Sequence, residues 1–168
     1  MQTVFIALIL LLLFILYLGF RRKFETTDDP KNYFALQLSL DRVISRYKLA
    51  ISEIGFFKNA IIGLDSGNNK LVSILQKRNV ISERCFPLSE LGSCRVIRDT
   101  DQLTGYVKRI ELELILRCGE IIGFIFFDEQ RDNIHELPSR IRKAKYWKSK
   151  IQLRLNSLKQ GHKFEYVL

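Results

Sequence analysis

Residues 137–158, LPSRIRKAKYWKSKIQLRLNSL, carry the pattern from which the architecture follows. Apolar residues recur three or four positions apart, as on one side of an α-helix, and cations fill many of the other positions. Asp132 or Asn133 can cap the start. Pro138 is tolerated in the first turn, and Gly161 is expected to end the helix. The stretch predicts an amphipathic C-terminal helix with an apolar stripe formed by Leu137, Ile141, Ala144, Trp147, Ile151, Leu155 and Leu158.

Six or seven short strands are predicted ahead of this helix. The clearest is Tyr106–Cys118, where Leu112 and Leu114 fall on one face and Glu111 and Glu113 on the other. Short turns join most of the strands, which favours an antiparallel sheet or barrel and an α+β fold class. The other predicted strands are Lys58–Asp65, Lys70–Lys77, Asn79–Phe86, Cys94–Arg98 and Glu120–Asp128.

This order of elements, with Trp147 in the middle of the helical stripe, resembles the pleckstrin-homology-like (PH-like) superfold. The segment Phe86-Pro87-Leu88-Ser89-Glu90-Leu91 is similar to a strand-then-turn pattern in bacterial members. The resemblance spans about 100 residues, Phe57 to Leu158, and implies a bent barrel with the helix plugging one end. It implies that Trp147 packs in the core, which the stripe and the strand alternation extend to Ile141, Ile151, Leu112 and Leu114. Family members that bind phosphoinositides use basic residues around the first hairpin loop, but here Asp65–Lys70 offers a single cation.

A second helix is predicted over residues 31–55. Asp28 or Asp29 before Pro30 favours its start, and Gly55 is expected to stop it. One interpretation packs this helix on its own domain, and the other makes it a juxtamembrane coiled coil that dimerises the chain through residues 31–54. Its heptad-like stripe is Tyr33, Leu36, Leu40, Val43, Tyr47, Ala50 and Ile54.

The N-terminal segment predicts a membrane anchor. Residues 4–20 carry no charge, and Arg21, Arg22 and Lys23 follow. A 17-residue helix is about 25 Å long, close to a bilayer core of about 30 Å. A cleaved signal peptide is disfavoured because residues 1–3 lack a charged side chain and no small-residue cleavage site follows. The flanking cations place the N-terminus outside and the remaining chain in the cytosol, at the cytoplasmic membrane.

These predictions divide the chain into five parts. They are an anchor with its basic flank (1–23), a linker (24–30), a juxtamembrane helix (31–55), a PH-like domain (56–160) and a tail (161–168).

Positive charge is concentrated near the C-terminus. Residues 138–168 hold 9 Lys and Arg against one acid, whereas residues 21–137 hold 18 against 17. This asymmetry indicates a basic surface element, which is either a solvated helix face or a contact with anionic lipid or an acidic partner. Nucleic acid is disfavoured because few aromatic residues accompany the cations. The candidate contact residues are Arg140, Arg142, Lys143, Lys145, Lys150 and Arg154.

No residue pattern supports catalysis, a cofactor or a metal. Glu111 and Glu113 fit a solvated strand face, and His135 and His162 lack a partnering motif. Acids between Asp128 and Asp132 suit a turn and a helix cap better than a calcium loop. The three cysteines (Cys85, Cys94 and Cys118) have no metal or disulfide spacing and are expected to be buried and reduced.

The sequence therefore predicts a non-catalytic, single-pass membrane protein that acts as a tethered binding or scaffolding module. The alternative is a subunit of a larger membrane assembly that dimerises through residues 31–54.

Overall fold

The computed structural model describes residues 30–78 and 80–164, and the side chains of 33–78 and 80–158. The predicted anchor and nearly all of the linker lie outside this range. Within it, no helix is both long and apolar enough to cross a membrane. The described chain is α+β, with two helices and seven antiparallel strands, as predicted. The helices are α1 (Pro30–Tyr47) and α2 (Leu137–Phe164). The strands are β1 (Glu53–Phe57), β2 (Ala60–Asp65), β3 (Lys70–Lys77), β4 (Val80–Pro87), β5 (Leu91–Thr100), β6 (Val107–Leu116) and β7 (Ile121–Asp128).

The strands form two separate meanders rather than a closed barrel. The first sheet has the order β1-β2-β3-β4 and the second β5-β6-β7. A 3-10 turn, Leu88–Glu90, leads from one sheet to the other. The main core lies between the two sheets and is covered by α2, whose Trp147 and Ile151 are buried with Leu112 and Leu114 of β6.

A second core lies on the opposite face of the first sheet. There, Leu36, Leu40 and Val43 of α1 pack on Ile61, Val72 and Ile74. The strands β2 and β3 are therefore covered on both faces, which explains why nearly every residue of β2 is apolar and buried. The helix α1 belongs to the same packed unit as the sheets.

Residues 48–55 depart from the predicted helix. The helix α1 ends at Tyr47, because Lys48 takes a left-handed conformation (φ 49°) and the Leu49 N–H donates to the Ile44 carbonyl. The Ala50 N–H then donates to Asp65, 3.0 Å away. The prediction of a helix stop at Gly55 was wrong, since strand pairing with β2 outweighs the local helical periodicity there.

Gly55 has a different role, in the middle of β1. A Cβ atom at this position would lie 2.6 Å from Nε1 of Trp147 and 2.8 Å from two carbons of its indole ring. The glycine thus leaves the space that the tryptophan occupies. Gly161 also does not end α2, which continues to Phe164.

The first hairpin is consequently β1–β2, with the two-residue loop Lys58–Asn59, and not the predicted loop after Asp65. Lys58 lies 2.8 Å from Asp132 and also donates to the Arg131 carbonyl. The loop after Asp65 joins β2 to β3 and contains Asn69 at φ 52°. The cation of the first hairpin is therefore already paired with an acid of the same domain.

Candidate functional site

The exposed side of α2 is a strongly basic surface. Between Leu137 and Leu158 the helix has seven cations and no acid. Its buried side packs on the core through Ala144, Trp147, Ile151 and Leu155. The cations outside this stripe are therefore spread over the exposed surface of one helix instead of lying on flexible loops.

Two of the predicted contact residues are already paired. Arg140 is buried, and its Nη2 lies 2.6 Å from Oε2 of Glu136 and 4.0 Å from Oδ1 of Asp132. The prediction that Arg140 is an exposed contact residue was therefore wrong. It lies four and seven positions before Ala144 and Trp147, which places it on the same side of the helix as the buried stripe. Lys150 donates to Oε1 of Glu53 at 2.7 Å, a contact across 97 positions that no local pattern indicates.

The pair formed by Glu53 and Lys150 is reinforced by Tyr146, whose hydroxyl donates to Oε2 of Glu53 at 2.8 Å. The hydrogen bond from Lys150, helped by Tyr146, outweighs the opposing effect of burial and lowers the pKa of Glu53. The pKa of Lys150 is raised by the same bond. Both groups thus stay ionised, and the contact fixes α2 against β1.

The remaining cations point to solvent. In residues 33–78 and 80–158, none of them forms an ion pair with a described acid. We call this set the basic face, and it consists of Arg142, Lys143, Lys145, Lys148 and Arg154. Of the predicted contact residues, Arg142, Lys143, Lys145 and Arg154 are exposed on α2, and Lys148 is exposed as well.

The candidate acid–base residues do not converge on a common site. Glu113 pairs with Arg95 at 2.7 Å and Glu111 with Arg109 at 2.8 Å. Over the part of the chain that the structure describes, no group of three His, Cys, Asp or Glu residues is arranged to hold a metal ion. The acids after β7 form a turn, in which the Asp128 N–H donates to Oδ2 of Asp132.

The cysteines occupy three different environments. Cys94 is buried, and burial raises the pKa of its thiol to about 12. Cys85 is half-buried, and burial raises its pKa as well. Cys118 is exposed, in the turn between β6 and β7, so the expectation of burial fails for this residue. A thiol in a surface turn buries no apolar area on folding.

One groove opens between the free edges of the two sheets. It encloses about 230 Å³ between β4 and β7, with Leu75 and Ile122 among its apolar walls. Arg84 and Glu120 face each other across it at 2.5 Å. The groove is smaller than a typical small-molecule site of about 300–1,000 Å³. Its lining is Leu75, Lys77, Val80, Ser82, Arg84, Glu120, Ile121, Ile122 and Gly123.

Comparison of the chain with protein-family models, with curated proteins and with solved structures found no match.

Proposed function

We propose that this chain is a non-catalytic, membrane-tethered binding module with a PH-like fold, whose basic face contacts anionic lipid headgroups. The observation that carries the proposal is the set of five exposed cations on a helix that has no acid between residues 137 and 158. Each Lys or Arg near an anionic leaflet contributes about 1 kcal/mol. The predicted anchor would hold the domain next to that surface, which raises the effective concentration of headgroups.

The PH-like part of the proposal is supported by the element order. A four-stranded meander, a three-stranded meander and a C-terminal helix follow one another, and the tryptophan of the helix packs between the sheets. The first hairpin carries Lys58, which pairs with Asp132, so lipid contact is assigned to α2 and not to that loop.

Sedimentation with vesicles tests this function. Residues 24–168 retain both cores, and we expect this fragment to bind anionic vesicles but not neutral ones, more strongly at low salt than at physiological salt. Changing Arg142, Lys143 and Lys145 together to glutamine removes three cations worth about 3 kcal/mol and should lower the partition coefficient roughly a hundredfold.

The matched control removes the same charge elsewhere. Lys77, Arg98 and Arg117 are exposed and form no ion pair with a described acid, so their triple glutamine variant should bind almost as well as the wild type. If both triple variants lost vesicle binding equally, binding would depend on the net charge of the chain and not on the basic face. Absence of binding to either vesicle would contradict the lipid assignment and leave an acidic protein as the partner of the basic face.

The alternative function, a dimerising assembly subunit, remains a prediction. The structure places Leu36, Leu40 and Val43 against the chain's own first sheet. A second copy in this arrangement would therefore have to use the other side of α1, where Phe34 and Leu38 are exposed.

A further inference from the structure

Four strands lie at the edges of the two sheets, β1 and β4 in the first sheet and β5 and β7 in the second. An edge strand presents unpaired N–H and C=O groups to any other extended chain. Proteins usually protect such an edge with charged residues, proline, a bulge, a short strand or a covering element. The four edges of this protein differ in how far they are protected.

Three of the edges carry such protection. The strand β1 has only five residues, and Glu53 ties it to α2. The strand β4 contains Glu83 and Arg84 and ends at Pro87. The strand β5 has a register shift near its start and three charged residues, which are Arg95, Arg98 and Asp99.

The edge of β7 lacks this protection over much of its length. Residues 121–127, Ile-Ile-Gly-Phe-Ile-Phe-Phe, include no charge and no proline. The register with β6 shifts at Phe126, where a bulge adds one residue to β7. Phe57 of β1 packs there as well, with its ring centroid 4.3 Å from that of Phe126. Residues 121–125 therefore form the least protected strand edge in the described part of the chain.

The start of this edge borders the groove between the two sheets. The floor of the groove belongs to the first sheet, where Leu75 pairs with Ser82. Lys77 and Val80 form a second pair on the same face. Because Leu75 packs against the main core, this face is turned toward the second sheet. Two exposed apolar side chains border the groove, Val80 from the first sheet (70% exposed) and Ile121 from the second (52% exposed).

An extended segment of another protein fits this place better than a compact ligand or a second copy. The groove, at about 230 Å³, is below the size of typical small-molecule sites, whereas a strand added to β7 needs room only for alternate side chains. In a full antiparallel overlap with a second β7, Glu120 of one copy would face Asp128 of the other. Like charges directly opposite each other destabilise a strand pair.

The charges at the groove define the composition of that segment. Arg84 is paired with Glu120, whereas Lys77 is exposed and forms no ion pair with a described acid. The lining residues thus carry two cations and one acid. An acidic residue of the segment would complement this charge, and apolar residues at alternate positions would complement Leu75 and Val80.

We infer that β7 binds an extended segment of a partner protein by strand addition, with apolar side chains of the segment in the groove and an acidic residue beside Lys77. This site is separate from the basic face, because the lining residues named above belong to β3, β4, β7 and the turn before β7. The inference therefore goes beyond lipid contact and does not depend on it.

Peptide binding to the full chain in a neutral detergent, without anionic lipid, tests the inference. The probe is a fluorescein-labelled peptide of the length of β7 in which valine and glutamate alternate, and fluorescence anisotropy measures its dissociation constant. A peptide with lysine in place of glutamate is the charge control and should bind roughly tenfold more weakly. Hydrogen exchange should slow over residues 121–125 when the acidic peptide is bound, because N–H groups of the free edge then donate to it.

A pair of variants locates the site. Val80→Glu places an acid on the groove floor and should weaken binding of the acidic peptide roughly tenfold. The matched control is Leu103→Glu, at a 97% exposed position in the β5–β6 turn, which should bind the peptide as the wild type does. Both positions are exposed, so both variants should keep the melting midpoint of the wild type.

Several outcomes would overturn the inference. They are absence of peptide binding, equal binding of the two peptides, equal weakening by the two variants, and unchanged hydrogen exchange over residues 121–125. Loss of peptide binding in the Arg142, Lys143 and Lys145 triple variant would place the peptide on the basic face and overturn it as well. A dimer of the full chain that dissociates in Val80→Glu would assign the groove to a second copy, with the same result. Because the peptide is measured without anionic lipid, failure of vesicle binding would contradict the proposed function and not this inference.

Discussion

Replacing Trp147 with alanine is expected to lower the free energy of unfolding by about 3–5 kcal/mol, the largest effect of any single truncation considered for this chain. The indole is 4% exposed and belongs to the core between the two sheets. It is also the side chain through which α2 contacts Gly55 of β1. Its removal leaves a cavity at the junction of the helix with both sheets. Thermal melting followed by circular dichroism should show a midpoint lower by about 10–20 °C.

Two variants make this experiment specific to the tryptophan. Tyr146→Ala removes the neighbouring aromatic ring, which is half exposed, and should lower the free energy of unfolding by about 1 kcal/mol. Gly55→Ala should destabilise the wild type, because the new Cβ would lie 2.6 Å from Nε1 of Trp147. The same change should cost much less in the Trp147→Ala background, where the cavity accepts the methyl group. An unchanged melting midpoint for Trp147→Ala would refute the role of this residue in holding α2 on the sheets.

The second large effect is expected at Asp65, a fully buried carboxylate at the end of β2. Its Oδ2 accepts hydrogen bonds from the Ala50 N–H at 3.0 Å and from Nδ2 of Asn68 at 2.8 Å. Its Oδ1 accepts from the Asn68 N–H at 2.9 Å. The side chain thus ties the segment after α1 to the β2–β3 loop. Asp65→Asn keeps the shape of the side chain but places an amide NH2 group opposite two of these N–H donors. The free energy of unfolding is therefore expected to fall by about 2–4 kcal/mol.

The pH dependence gives an independent measurement at the same residue. Burial raises the pKa of Asp65, but the hydrogen bonds from Asn68, Ala50 and Gly67 outweigh it, so the pKa lies below its ordinary value of 3.8. A lowered pKa means that the carboxylate stabilises the fold above pH 4 and that this contribution is lost as the pH falls below that value. The stability difference between the wild type and Asp65→Asn should therefore narrow in acid.

Asp41→Asn provides the control, because Asp41 is exposed on α1. Urea titrations of the three proteins between pH 2 and 7 measure the free energy of unfolding of each. The difference from the wild type should become smaller at low pH for Asp65→Asn but not for Asp41→Asn. A difference that stays constant over this range would mean that Asp65 does not act through its charge.

Local sequence patterns predict many of the helices and strands. Alternation along β6 places Ile110, Leu112 and Leu114 on one face, and all three are buried. The apolar stripe of α2 can also be predicted from the sequence, because a helix that packs on one surface buries side chains three or four positions apart. The excess of cations in α2 is a property of composition alone. None of these features depends on a distant partner.

The site was only partly predictable. Lys145 and Lys150 both lie outside the apolar stripe in a helical projection, yet Lys145 is exposed and unpaired among the described acids, whereas Lys150 pairs with Glu53. The strand β1 was not predicted, because Glu53, Ile54 and Gly55 were assigned to the end of a helix. Arg140 was predicted to be an exposed contact residue, and it is buried, although its spacing from Trp147 could have indicated this.

The sequence by itself determined an α+β chain with two amphipathic helices, about seven antiparallel strands and a basic C-terminus, because these depend on periodicity and composition within one segment. Only the tertiary structure decided that residues 53–57 form a strand, that the sheets stay open and that Lys150 is paired with Glu53. Hydrogen bonds to β2 and the shape of the Trp147 indole outweighed a local helical pattern there. Periodicity within one segment does not indicate such contacts, because their partners lie far away in the chain.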